Sequence, residues 1–166
     1  MTEKVRKDLD ALDLLMQDHR EVESLFRDFE HLKKTGGDTS RVMLRACAEL
    51  KIHDTLETEI FYAAVDEASD DEDVQDLLDD AEDAHDRILE LMESFEQTRD
   101  DKQRETHFTL LAEHVTQHVL EEEDELFPLV RTLTELDLAS TATAMKARRA
   151  ELTPETGIAE ADEETV

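Results

Sequence analysis

Residues 114–127, HVTQHVLEEEDELF, put two polar side chains where a helix needs apolar ones. At 3.6 residues per turn, His118 and Glu122 lie one turn apart on the face that carries Leu111, Val115 and Leu129. That is the face a helical bundle buries, and a buried imidazole beside a buried carboxylate is costly unless both are compensated. Either the pair is exposed after all, or something inside compensates it. The simplest compensator for a neutral imidazole and a carboxylate is a metal ion.

The same intrusion recurs along the chain. A first helix is expected from about Lys7 to Lys34, with Leu9, Leu12, Met16, Val22, Phe26 and Phe29 on its stripe and His19 in the gap between Met16 and Val22. Thr35-Gly36-Gly37-Asp38 ends it. A second helix, about Arg41 to Ala68, turns Val42, Ala46, Leu50, His53, Glu57, Ile60 and Ala64 inward. A third, about Asp71 to Thr98, has His85 in line with Val74, Leu77, Leu78, Ala81, Ile88, Met92 and Phe95. The fourth, about Asp101 to Thr132, contains the opening stretch. A shorter fifth helix, Thr134 to about Leu152, is amphipathic through Leu138, Ala142 and Met145, and the acidic stretch after Thr153-Pro154 has no periodicity and is expected to be disordered. With 3 glycines, 2 prolines and 4% aromatics, few turns and few strand-forming runs are available. The expected fold is all-α: an up-down-up-down four-helix bundle over residues 1–133, a C-terminal helix over 134–152 and a disordered acidic tail over 153–166.

Counting from the turns places the histidines in height. His19 precedes the Gly36-Gly37 turn by about as many residues as His53 follows it, and the same holds for His53 and His85 about Ser69, and for His85 and His118 about Arg99-Asp100. At ~1.5 Å per residue the mismatches amount to a few ångströms, so one histidine from each helix meets in a single layer. The two halves also repeat: His53…Glu57…Phe61-Tyr62 in the second helix matches His118…Glu122…Leu126-Phe127 in the fourth. Each hairpin offers one His from its first helix and a His-x-x-x-Glu from its second, an arrangement suited to two metals with carboxylates between them.

A lone histidine on an apolar stripe is more often a satisfied core residue than a ligand. Four at one level, two with a glutamate one turn on, favour a metal over a metal-free hydrogen-bond network, which is destabilising if any member lacks a partner. Other candidates rank lower. His114, at the edge of the stripe, is a lesser candidate for a ligand or for a partner behind one. His31 and His107 read as surface residues. Glu82 makes a single Glu82-x-x-His85, where ferritin-like sites need two such motifs. Glu59, Glu121, Glu123 and Asp124 read as a solvated acidic face, Glu125 stays ambiguous, and Tyr62 reads as core.

The pattern His19, His53-x-x-x-Glu57, His85, His118-x-x-x-Glu122, opened by Asp18-His19 and closed by Glu122-Glu123…Leu126-Phe127-Pro128, resembles the hemerythrin-like family, the HHE cation-binding domain. The resemblance covers about residues 10 to 132. It implies a four-helix bundle holding a non-haem di-iron centre, two irons per chain, with His19, His53, His85 and His118 as terminal ligands and Glu57 and Glu122 as bridges. It departs from the oxygen-carrying branch in two places: Ala81 stands where those proteins have a further histidine, and Glu122 where they have an aspartate. One imidazole fewer leaves a water, Glu82 or an open position. The expected function is binding or sensing of O2, peroxide or nitric oxide at a partly open site. The alternatives are a peroxidase, catalase-like or oxidase enzyme, and an iron-storage or metal-stabilised interaction module.

Charge narrows the partners. The chain carries 46 acidic and 18 basic residues, a formal net charge of -28, which argues against nucleic acid and anionic membrane. Such a surface also suits solubility in concentrated salt, so a halophile's cytoplasm is a reasonable source. The single cysteine, Cys47, suits a reducing interior. Neither a signal peptide nor an apolar run long enough to span a bilayer is evident, so a cytoplasmic protein is expected.

Overall fold

The computed structural model describes residues 8–156. Among them the structure is all helix and turn, as expected: α1 (Ala11–Thr35), α2 (residues 40–68), α3 (Glu72–Gln97), α4 (residues 101–130) and α5 (Leu138–Thr156). α1 pairs with α2 and α3 with α4, two hairpins that close into the bundle.

Local chemistry sets the helix ends. α1 starts at Ala11, not near Lys7, because Asp10 caps it: its carboxylate accepts from the Asp13 N–H while the Asp13 carboxylate accepts from the Asp10 N–H. Gly36, at φ 75°, supplies the left-handed residue that ends α1. Asp71 caps α3 and Asp100 caps α4, each through its side chain. α5 begins at Leu138, later than expected, and runs to Thr156, past Thr153-Pro154. The tail expected to be disordered lies, from residue 157 onward, outside the described residues. No described helix is long and apolar enough to cross a membrane.

α2 and α4 are not regular. Each contains one π-helical turn, Glu57–Phe61 in α2 and Glu122–Leu126 in α4, closed by a hydrogen bond from Tyr62 N–H to the Glu57 carbonyl and from Phe127 N–H to the Glu122 carbonyl. A π turn takes five residues to cover about what four cover in an α-helix, so the buried face beyond it shifts by one position. In α2, Phe61, Tyr62 and Val65 are buried where Ile60 and Ala64 are expected; in α4, Val130 replaces Leu129. Near the start of α1, Leu15 is buried, whereas Leu9 and Met16 are only half-buried.

The apolar core is in two pieces. One contains Leu12, Leu15, Leu56, Phe61, Leu78, Phe127 and Met145; the other contains Phe26, Phe29, Leu50, Met92, Phe95, Phe108 and Leu111. Between them lies a polar layer.

Candidate metal centre

That layer is made of His19, His53, Glu57, His85, His118 and Glu122, all buried, with Glu57 fully so. Each of the four long helices contributes one histidine. The rings of His19 and His53 lie 4.9 Å apart edge to face, and those of His85 and His118 lie 4.7 Å apart. Both glutamates sit at the first residue of a π turn, one turn after their own histidine.

The donor atoms converge on two points. His19, His53, Glu57 and Glu122 form one group and Glu57, His85, His118 and Glu122 the other; within each, the ligand atoms lie within 4.8 Å of one another. The two glutamates belong to both. Glu57 Oε1 lies 3.0 Å from His53 Nε2 and 3.0 Å from His85 Nε2. Glu122 Oε1 lies 3.2 Å from His19 Nε2, and its Oε2 3.4 Å from His118 Nε2.

Three histidines are oriented from behind. His19 Nδ1 is 2.6 Å from Glu123, His53 Nδ1 is 2.9 Å from Asp18, and His85 Nδ1 bonds Asp54. A carboxylate only accepts, so Nδ1 carries the hydrogen and donates it, and each ring turns its Nε2 to the centre. Arginines hold two of these carboxylates: Arg20 bonds Glu123, and Arg149 of α5 bonds both oxygens of Asp18 at 2.8 and 2.6 Å. His118 has no such carboxylate among the described residues. The position that repeats Asp18 in the second half, 66 residues on as His85 is from His19, is Ala84.

The layer fits cations. His19 Nε2, His53 Nε2, both oxygens of Glu57 and Glu122 Oε1 are buried without a hydrogen-bond partner. Five such atoms in one layer carry a heavy desolvation cost that attraction between the imidazoles and the carboxylates offsets only in part, and a cation at each point of convergence satisfies them together. The electrostatics agree. Burial opposes a charge on these imidazoles, yet Glu57 and Asp18 hold His53 well above its ordinary range. Against the same opposition, Asp54 and Glu57 raise His85 to about 9, and Glu122 and Glu57 raise His118 to about 10. Burial pushes Glu57 up, but the facing imidazoles, His53 foremost, keep it well below the usual carboxylate range. The site demands positive charge.

Tyr62 belongs to the layer as well. Its hydroxyl donates to Glu122 Oε2 and lies 3.1 Å from His85 Nε2 and 3.5 Å from His118 Nε2. Burial and the two glutamates push its pKa well above 10, so it stays protonated. On an α-helical wheel Tyr62 is about 140° from Glu57; the π turn brings it round. Its counterpart Phe127 stacks on His19, with centroids 6.0 Å apart. Glu123, expected on a solvated face, instead reaches back to His19. Glu59, Glu121, Asp124 and Glu125 are exposed. Glu82 and His31 are exposed, His107 and His114 half-buried, and none of the four joins either donor group.

Fold and site together define a four-helix bundle built to take up cations in its core. Residues 10–130 match the hemerythrin HHE cation-binding domain, and the chain belongs to that family. No curated protein and no solved structure gives a significant match.

Proposed function

We propose that the chain is a non-haem di-iron protein that binds or senses a small uncharged molecule (O2, peroxide or nitric oxide) on the α3 side of its centre. The observation that carries this reading is a pocket of about 320 Å³ between α3 and α4 that reaches His118 and Glu122. Ala81, one turn before His85, forms part of its wall, and a methyl group there leaves room that a larger side chain would fill. Asp80, Asp83, Glu121 and Glu125 also line it, all exposed. Four carboxylates at the mouth repel anions and leave neutral molecules unhindered.

In this reading His19 and His53 would hold one iron and His85 and His118 the other, with Glu57 and Glu122 available to both. Donors cis to one another on a six-coordinate ion with bonds of about 2.1 Å stand about 3.0 Å apart, against about 3.4 Å for a tetrahedral ion. The donor separations, from 3.0 Å at Glu57 to 3.4 Å at Glu122, do not select a coordination number; what favours iron over zinc is the donor set, imidazoles with two carboxylates that belong to both groups. Bound iron supplies a redox-active Lewis acid with a position left for an external ligand. The protein supplies the rest: Asp18, Asp54 and Glu123 fix the rings, apolar cores close the layer above and below, and the Tyr62 hydroxyl, which donates to Glu122, lies beside His85 and His118. That same hydroxyl favours a second reading, in which Tyr62 passes a proton during peroxide turnover.

The test is anaerobic iron loading followed by exposure to nitric oxide. Two irons per chain and a spectral response that Ala81→Leu abolishes, with iron content kept, are expected. No bound iron, or a response indifferent to Ala81→Leu, overturns the reading. Peroxide consumption that disappears in Tyr62→Phe supports the enzyme; an unchanged rate counts against it.

A further inference from the structure

α5 lies beyond the residues that match the family, yet it reaches the centre. It packs against α1, α2 and the π turn that begins at Glu57. Met145 and Leu152 enter the same core as Ile52, Leu56 and Phe61. On this docked face Arg149 places one nitrogen, Nη2, against both oxygens of Asp18, and Asp18 Oδ2 lies 2.9 Å from His53 Nδ1. His53 Nε2 in turn lies 3.0 Å from Glu57. An unbroken polar relay thus runs from the fifth helix to the donor layer. The other half has no equivalent: Ala84 stands at the position of Asp18, and Asp54, behind His85, meets no arginine or lysine among the described residues.

We propose that Arg149 is a positioning residue for the cation held by His19 and His53, and that docking of α5 and occupancy of that position are coupled. The inference rests on the metal reading above. Asp18 is largely buried and shared between two donors; anchored by Arg149 it can turn only one way, which fixes the His53 ring with Nε2 inward. Without the arginine the carboxylate is free to rotate, and the ring with it. A carboxylate that orients a metal-bound histidine, as Asp18 does His53, is worth roughly 10- to 100-fold in metal affinity, and Arg149, one contact further out, is worth a part of that, up to about 10-fold. Coupling is reciprocal, so a cation at this position holds α5 down by the same factor.

The experiment uses the full chain, stripped with chelator and titrated anaerobically with ferrous iron, with amide hydrogen exchange followed through α5. Arg149→Met is expected to weaken one of two irons by up to about 10-fold and to weaken the other, which shares Glu57 and Glu122, less. Arg149→Lys, which keeps the charge, restores most of the loss. Arg148→Met, which removes a neighbour paired with Glu59 and Glu151, leaves both irons in place. Exchange in α5 slows on iron loading of the wild type and does not slow in Arg149→Met. Unchanged affinity for both irons, equal weakening of both, or α5 exchange indifferent to iron in the wild type overturns the inference alone. Wild-type protein that takes up no iron overturns the metal reading and this inference with it. Should Arg149→Met fail to fold, Arg149→Lys and wild-type exchange decide.

Discussion

The α1–α2 half and the α3–α4 half carry the same ligand pattern in different surroundings. Around His19 and His53, two carboxylates stand behind the rings, each held by an arginine, and α5 covers the outside. Around His85 and His118, one carboxylate stands behind one ring, Tyr62 replaces the phenylalanine of the other half, and a pocket comes in from the surface. The two halves place their donors alike and differ in what holds them. One side is braced from behind; on the other a pocket reaches His118 and Glu122.

The sharpest way to break this comparison is to remove what the halves share. Glu57→Ala is expected to abolish uptake of both cations, because Glu57 belongs to both donor groups, and Glu122→Ala likewise. Elemental analysis after loading decides, and a variant that keeps one cation at full affinity refutes the bridging role. The metal-loaded wild type gains about 2.7 kcal/mol of stability per cation at a hundredfold excess over Kd, and both variants lose this increment in a denaturant titration.

Next in size are changes confined to one side. His19→Ala and His85→Ala each lose the cation of their own half and weaken the other; His31→Ala, exposed and far from the layer, changes neither. Equal iron loss in all three variants removes the site assignment.

The pH dependence separates protons from cations. His85 and His118 have folded-state values of about 9 and about 10, above the ~6.5 of an unfolded histidine. Their protonation therefore stabilises the metal-free fold fully below about pH 6.5, and that stabilisation is lost as pH climbs through 9 to 10. A lower urea midpoint at pH 10 than at pH 6 is expected without metal. Metal uptake runs the other way: near pH 7 it displaces the protons on these rings, so affinity rises with pH and an indicator dye records proton release on loading. Loading without proton release contradicts the assignment of His85 and His118 as ligands.

The smallest effect comes from making the halves alike. Tyr62→Phe reproduces Phe127, so the fold is kept, but Glu122 Oε2 loses its donor. A loss of about 1–3 kcal/mol in metal-free stability is expected, smaller once a cation takes that oxygen's lone pair. An unchanged midpoint without metal would mean the hydroxyl does not support Glu122.

Periodicity made much of this legible. Four long helices, the histidine layer and the pairing of His53 and His118 each with a Glu one turn on all follow from 3.6-residue spacing and distances to the turns. Tyr62, Val65 and Val130 did not, because two π turns change the spacing where the reading matters most. Asp18 and Asp54 escaped for another reason. Each sits next to a histidine in sequence yet serves the histidine of a neighbouring helix, His53 and His85, so its role exists only between helices. The signal was present as the dipeptides Asp18-His19 and His53-Asp54. Glu123 reads as one more acid in a run of five, residues 121–125, and only its reach back to His19 distinguishes it. Arg149 stands on a helix with no periodic tie to the layer.

The π turns carry one last consequence, for changes of length rather than identity. Deleting a residue from a helix normally rotates all that follows by about 100° and ruins the buried face. Here a deletion of Thr58, exposed within the Glu57–Phe61 turn, removes the residue that the widened turn had absorbed. Phe61, Tyr62 and Val65 would then fall at the fourth, fifth and eighth places after Leu56, which is regular α-helical spacing, with the same face inward. A shortened chain of this kind should keep its core and lose the local widening beside Glu57, so that any change in cation binding reports on the turn itself and not on the fold around it.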